Sequence, residues 1–172
     1  GVDSLTSFGG RDISVCKLDA SGNFIWAKHF GGTLDDQSFA IKLDDTGNVY
    51  TTGYFRGAGD FDPGTGIDSL ISFGDGDIFI AKLDASGNYL WAKQIGGASF
   101  DIGLSLDIDA SGNVYTVGGF QGIVDFDPGI DSSNFTALNG FNAFISKLDA
   151  AGNFVWAKQF GGATGGAGAF SI

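Results

Sequence analysis

The sequence predicts an all-β fold built of repeated four-stranded antiparallel sheets, and three observations carry that prediction. First, one block recurs at even spacing: KLDASGNFIWAK at 17–28, KLDASGNYLWAK at 82–93 and KLDAAGNFVWAK at 147–158. A constant period of this size marks stacked or radially arranged units. Second, all 20 acidic residues are Asp and Met is absent, while Gly numbers 30 and Phe 17 of 172. Asp and Gly serve turns, whereas Glu and Met favour helices. Third, short runs of strand character alternate with Asp-, Gly- and Asn-rich punctuation, the mark of strands joined by tight turns.

Taken in order, residues 1–10 (GVDSLTSFGG) match 66–75 (GIDSLISFGD), so the chain starts within a unit. The run Asp12–Leu18 matches Asp77–Leu83 and Asn142–Leu148, and forms strand C of its unit. The turn 19–23, DASGN, joins it to strand D, NFIWAKHF. On that strand Phe24, Trp26 and Lys28 share one face and Ile25, Ala27 and His29 the other. Both faces are largely apolar, which predicts a strand sandwiched between neighbouring sheets, with Gly31-Gly32 ending it. Strand A follows at 38–43 (SFAIKL), then a second turn of the same design at 44–48, then strand B at 49–55 (VYTTGYF), repeated as VYTVGGF at 114–120. Gly53 and Gly118 fall in mid-strand, where a neighbouring backbone approaches closely. A long connection then leads to the next strand C. It exceeds hairpin-loop lengths and predicts an ordered excursion, an extra β-hairpin with DSLISF as one arm.

One unit is therefore A, B, long connection, C, D. A four-stranded sheet with two apolar faces must be covered on both by its neighbours. Radial packing of such units gives a β-propeller, whose ring of about 4–8 blades would need roughly 260–520 residues at this repeat length. The predicted fold is a partial β-propeller of 65-residue blades. Residues 1–32 supply half a blade, 33–97 and 98–162 full blades, and 163–172 the first strand of another. Both ends fall inside a unit, so the chain reads as a piece of a longer protein. Its uncovered blade faces predict self-association of 1–172 alone.

The net charge of −11 argues against nucleic acid and anionic membrane surfaces as partners. No apolar run reaches the length that a membrane-spanning helix needs. Cys16 stands alone, with Ala81 and Ser146 at its repeat positions, and reads as a small side chain packed in a strand.

The sharpest candidate site is the doubled motif D-F-D-P-G. Asp60 and Asp62, with Asp68 downstream, and Asp125 and Asp127, with Asp131, could supply hard oxygens to Ca²⁺. The competing reading is a structural turn: Asp caps amides, Pro fixes φ and Phe plugs the core. The turns beginning at Asp19, Asp44, Asp84, Asp109 and Asp149 recur at regular places, which favours a role in building hairpins. Trp26, Trp91 and Trp156 each sit at one fixed place per unit, which favours packing over sugar stacking. His29 is replaced by Gln94 and Gln159, so its position is polar without being chemical. No nucleophile elbow, phosphate loop or zinc pair is present, and no enzyme is predicted.

The block DIFIAKLDASGNYLWAKQIGG, followed by LDIDASGNVYTVGGF and VDFDPG, resembles the SBBP-type β-propeller repeat family of bacterial proteins. The resemblance covers essentially the whole chain and rests on five motifs in one order: K-L-D-x-x-G-N, W-A-K, G-G, G-N-V-Y-T and D-F-D-P-G. It implies a secreted or cell-surface protein with no conserved catalytic set. The expected function is a structural or binding segment of a larger extracellular protein, an adhesin or filament component. Its expected partners are further blades of the same chain or identical subunits, and glycans or surface proteins. Two alternatives stand beside it. One is a calcium- or carbohydrate-binding propeller that uses the long B–C connections. The other is a glycan-processing enzyme whose site is built with further blades.

Overall fold

The computed structural model describes residues 4–161 and 171–172. Among these, every regular element is a β-strand: β1 Ile13–Leu18, β2 Phe24–Gly32, β3 Gln37–Leu43, β4 Val49–Phe55, β5 Ala58–Asp60, β6 Ser69–Ile71, β7 Asp77–Leu83, β8 Tyr89–Gly97, β9 Ile102–Ile108, β10 Val114–Asp125, β11 Asn134–Leu148 and β12 Phe154–Phe160. Strands β3-β4-β7-β8 form one antiparallel four-stranded blade and β9-β10-β11-β12 the next. Strands β1 and β2 pair as the C and D strands of a preceding blade. The strand expected in 163–172 falls largely on 162–170, outside the described residues.

The five repeated turns share one construction. Asp19 Oδ1 accepts the backbone N–H of Ser21 and of Asn23, and Asn23 Nδ2 donates to Asp19 Oδ2, each at 2.8 Å. Asp44, Asp84, Asp109 and Asp149 repeat the pattern. One carboxylate thus satisfies the amides of a turn that water would otherwise have to serve. The glycine in each turn has φ between 78° and 81°, a region that side chains resist. Gly53 and Gly118 are needed for a different reason. A Cβ there would stand 1.8 Å from Gln37 O and 2.0 Å from Ile102 O, beside the register shifts of the A–B pairs.

The expected hairpin is present, as β5 with β6. In the second blade it is continuous with the main strands: after a register shift beyond Phe120, Gly122–Asp125 of β10 pairs with the start of β11. The hairpin also corrects the expected end of strand D. Gly31 and Gly32 belong to β2 and pair with Asp60 and Gly59, and Gly96 and Gly97 pair with Asp125 and Val124. Each hairpin therefore adds a backbone link to the blade before it. Glycine allows this: a Cβ on Gly32 would lie 2.0 Å from Ala58 O, and one on Gly97 2.0 Å from Ile123 O.

Two apolar clusters form the core. One gathers Phe30, Phe55, Phe61 and Phe79, the other Phe120, Phe126 and Phe144, all buried. Phe61 lies 5.1 Å from Phe55 and 5.4 Å from Phe79 between ring centroids, and Phe126 lies 5.2 Å from Phe120 and 5.0 Å from Phe144. The fully buried strands are β4 and β7, central in their blade. Strand D, expected to be sandwiched, is a correction. It is the last strand of its blade, and Phe24, Ile25, Leu90 and Val155 near its start are exposed.

Blades are also joined by side chains. Lys17 Nζ (2.7 Å) and Trp26 Nε1 (3.3 Å) donate to Ala85 O in the next blade's C–D turn. Lys82 Nζ and Trp91 Nε1, both at 3.3 Å, donate to Ala150 O one blade further on. Trp26 and Trp91 thus latch one blade to the next while packing, partly buried, against the core clusters. Between the A strands β3 and β9, Lys42 Nζ stands 3.3 Å from Asp107 Oδ1.

Candidate functional site

The D-F-D-P-G segments open the loops that close the two hairpins, and their Phe residues plug the core as the turn reading requires. Asp60 Oδ1 accepts the N–H of Asp62 (3.1 Å) and of Asp68 (2.9 Å), and Asp62 Oδ1 that of Gly64 (2.7 Å). Asp125 Oδ1 accepts from Asp127 (3.1 Å) and Ser133 (2.8 Å), and Asp127 Oδ1 from Gly129 (2.7 Å). The residue in the structural place of Asp68 is therefore Ser133. Asp131 lies exposed, towards the hairpin tip. Asp68 itself faces the Tyr89 hydroxyl, which also accepts the Ala92 N–H at 2.8 Å. Burial, and then the Asp68 carboxylate, push the Tyr89 pKa up. Among the described residues, no three His, Cys or Asp side chains converge as a metal-ligand group.

The hairpins do shape a surface groove. It runs along β8, with Leu70 and Phe73 of the first hairpin on one side and Asp125, Asp127 and Pro128 of the second on the other, and has a volume of about 600 Å³. A hollow of about 260 Å³ adjoins it and is lined by Ile130, Asp131 and Phe154; the two share Lys93, Asp127 and Gly129. One ammonium, several carboxylates and apolar side chains thus face a single open cleft. Sequence reasoning found the acidic turn but missed Lys93, because nothing local shows that the turn of one blade reaches the D strand of the blade before.

Sequence reasoning also missed a set of buried carboxylates at the blade junctions. Asp101 is fully buried; its Oδ2 accepts the Gly97 N–H and its Oδ1 the Gln121 N–H, each at 2.9 Å. Asp36 does the same for Gly32 (2.7 Å) and Arg56 (2.9 Å). Burial pushes Asp101 up to about 7 against the pull of those N–H groups, and the charge of Asp77 adds to the rise. Burial likewise raises Asp36, with Asp12 and Asp35 contributing, and raises Asp77. Asp77 Oδ2 accepts from Phe73 N–H (3.0 Å) and Gln94 Nε2 (2.6 Å), while its Oδ1 is buried without a partner. The signal in the sequence is the recurrence, at the repeat period, of Asp residues outside the turn motifs.

The polar position of His29, Gln94 and Gln159 braces the hairpins. Gln94 Nε2 donates to Ile71 O and Gln159 Nε2 to Thr136 O. His29 instead stacks on Phe8 at 4.5 Å between centroids. Cys16, expected to be packed, is exposed, because β1 has no B strand beside it among the described residues. Its equivalents Ala81 and Ser146 are fully buried.

No family model matches the chain. It is 27 % identical over 184 residues to an uncharacterized WD repeat-containing protein of Acanthamoeba polyphaga mimivirus, covering 94 % of this chain and 12 % of that protein. The fold is a β-propeller segment. The chain is also 24 % identical over 158 residues to the regulatory protein FlaEY of Caulobacter vibrioides, covering 88 % of the chain and 16 % of that protein. The chain thus spans less than a fifth of either relative. A repeat scaffold that presents binding surfaces is the role this architecture supports.

Proposed function

We propose that the chain is a structural and binding segment of a larger extracellular or cell-surface bacterial protein, without catalysis of its own. The observation that carries this reading is how the carboxylates are used. The turn Asp residues and those of D-F-D-P-G hold backbone amides, which suits a scaffold better than an opposed acid–base pair for glycan hydrolysis. Export rests on the resemblance to SBBP-type repeats. Neighbouring blades, from the same chain or an identical subunit, are its first partners, since β1 has no B strand beside it among the described residues, where β7 has β4.

The groove along β8 is the proposed recognition surface. Its hairpin tips are the segments that differ most between repeats, and loops on a rigid scaffold carry recognition. Its mixture of carboxylates, Lys93 and apolar walls suits a polyhydroxylated ligand such as a surface glycan. The test is a glycan array probed with the intact protein and with a variant in which 129–133 takes the sequence of 64–68 in exchange. Binding lost on exchange supports the groove. Binding unchanged by exchange removes it and leaves the scaffold role.

Calcium at Asp60, Asp62 and Asp68, and at Asp125, Asp127 and Asp131, is a separate proposal. It draws on paired carboxylates beside a tight turn. Millimolar Ca²⁺ should raise the melting temperature if the ion binds there, and an unmoved melting curve rules the site out.

A further inference from the structure

The junction between successive blades buries two carboxylates where one would be costly enough. A buried charge has to be neutralised or paired, and an unpartnered buried oxygen calls for a donor. Asp77 and Asp101 are both completely buried, and the Asp77 Oδ1 has no partner. The same oxygen of Asp12 is unpartnered one blade earlier. There the aim of the two groups is visible at Gly31: a Cβ on that residue would stand 2.6 Å from Asp36 Oδ2 and 3.1 Å from Asp12 Oδ1. Both of these carboxylates approach the same glycine; at the next junction a Cβ on Gly96 would stand 2.5 Å from Asp77 Oδ2, and the adjoining Gly97 N–H donates to Asp101 Oδ2.

Among the described residues, no Lys or Arg forms an ion pair with these carboxylates. Asp12 accepts from the Phe8 N–H, Asp77 from Phe73 N–H and Gln94, and Asp36 and Asp101 from backbone N–H groups alone. Asp35, beside Asp36, adds a further negative charge. The Arg56 guanidinium lies over the rings of Tyr54 and Phe100, 5.6 Å from each centroid, and makes no ion pair with either carboxylate among the described contacts. In the first blade His29 occupies the position of Gln94 and is stacked on Phe8. At the third junction Asn142 stands where Asp12 and Asp77 stand in the earlier repeats.

We propose that Asp77 and Asp101 hold a single proton between them at neutral pH, and that its loss in alkali loosens the blade junction. The acid O–H of one carboxyl donates to the unpartnered oxygen of the other. On deprotonation the proton passes to water and two like charges are left facing each other in a buried site. A proton meets the need with two groups, whereas Ca²⁺ calls for a shell of several more oxygens. The sign of the effect follows from the raised pKa values. Asp101 binds its proton more tightly folded than unfolded, so its contribution to stability is fully present below its unfolded pKa of 3.8 and is lost as pH rises through about 7.

The test uses the full protein and two substitutions, Asp77→Asn and Asp12→Asn. Both copy the native Asn142, so each has a folded precedent in the same chain. Infrared difference spectra should show a buried protonated carboxyl that titrates near neutral pH. In Asp77→Asn the Asp101 component should move down by about one pH unit or more, since the like charge is gone. Asp12→Asn, one blade away, should leave the Asp101 component in place, and Asp77→Asn alone should flatten the loss of melting temperature between pH 6 and 9. A wild type without the carboxyl band at pH 6, or a titration unmoved by Asp77→Asn, overturns the proposal. So does a rise in melting temperature on adding Ca²⁺ at pH 8 in wild type but not in Asp77→Asn, which would place a cation there instead.

Discussion

The half blade β1–β2 and the complete blade β3-β4-β7-β8 carry nearly the same strand C and D sequences and differ in what those residues become. Leu83 of β7 is fully buried, and its counterpart Leu18 of β1 is 54 % exposed. Ala81 is sealed, whereas Cys16 lies open. Nothing in DISVCKL against DIFIAKL accounts for this. The difference is the B strand: β7 has β4 along its other edge, and β1 has no such neighbour among the described residues. Burial in this fold is thus conferred by the adjacent strand and blade. Propensity and patterning only make a segment ready to receive it.

The largest expected contrast lies at the leucines. Leu83→Ala should cost about 2–5 kcal/mol, as for a filled core position. Leu18→Ala should cost less than about 1 kcal/mol, as on a surface. Equal losses in denaturant unfolding would mean that the half blade is covered in solution by another strand. Next come the turn glycines. Gly22 has open space where a Cβ would go, while a Cβ on Gly87 would meet Trp26 at 3.1 Å and Lys28 at 3.2 Å. Gly22→Ala should therefore cost about 1 kcal/mol of backbone strain, and Gly87→Ala about 2 kcal/mol or more because it also displaces the preceding blade's latch. Thiol labelling gives a third measure: Cys16 should react about tenfold or more faster than a cysteine placed by Ala81→Cys.

In one respect the two regions should behave alike. Hydrogen bonds from Asn23 hold Asp19 below its usual range, and those from Asn88 hold Asp84 down in the same way. At Asp44 burial works the other way, but bonds from Thr46 and Asn48 bring it to about 2. Such lowered groups contribute stability above the unfolded value of 3.8, and that contribution fades as pH falls towards about 2. A melting series from pH 5 to 2 should show a loss that Asp19→Asn and Asp84→Asn diminish equally. The smallest effect belongs to Lys42 and Asp107. Both are about half exposed, and Lys42→Ala should cost less than about 1 kcal/mol, fading with added salt.

The parts of the fold legible in sequence are those governed by nearby residues. The period, the D-x-x-G-N turns, the mid-strand glycines and the Phe plugs each declare themselves within a few positions. Contacts between units do not. The pairing of Gly31-Gly32 with a hairpin of the following unit, the donation of Trp26 to Ala85 and the placing of Lys93 and Asp127 along one groove all depend on how one blade sits on the next. The D-F-D-P-G motif shows both sides of this. Its turn chemistry is readable, yet assigning Asp131 the place of Asp68 fails, because Ser133 takes that role in the second loop.

The backbone links from Gly31-Gly32 and from Gly96-Gly97 to the following hairpins give the two described junctions a socket and a plug of identical make. Copies joined this way are interchangeable in series. Duplicating or deleting a whole unit would recreate the same junction at the splice, while a gain or loss of any other length would misalign it. Genomes carrying such chains should therefore vary in blade count by integers, with total length as the freely evolving trait and the junction as the fixed one.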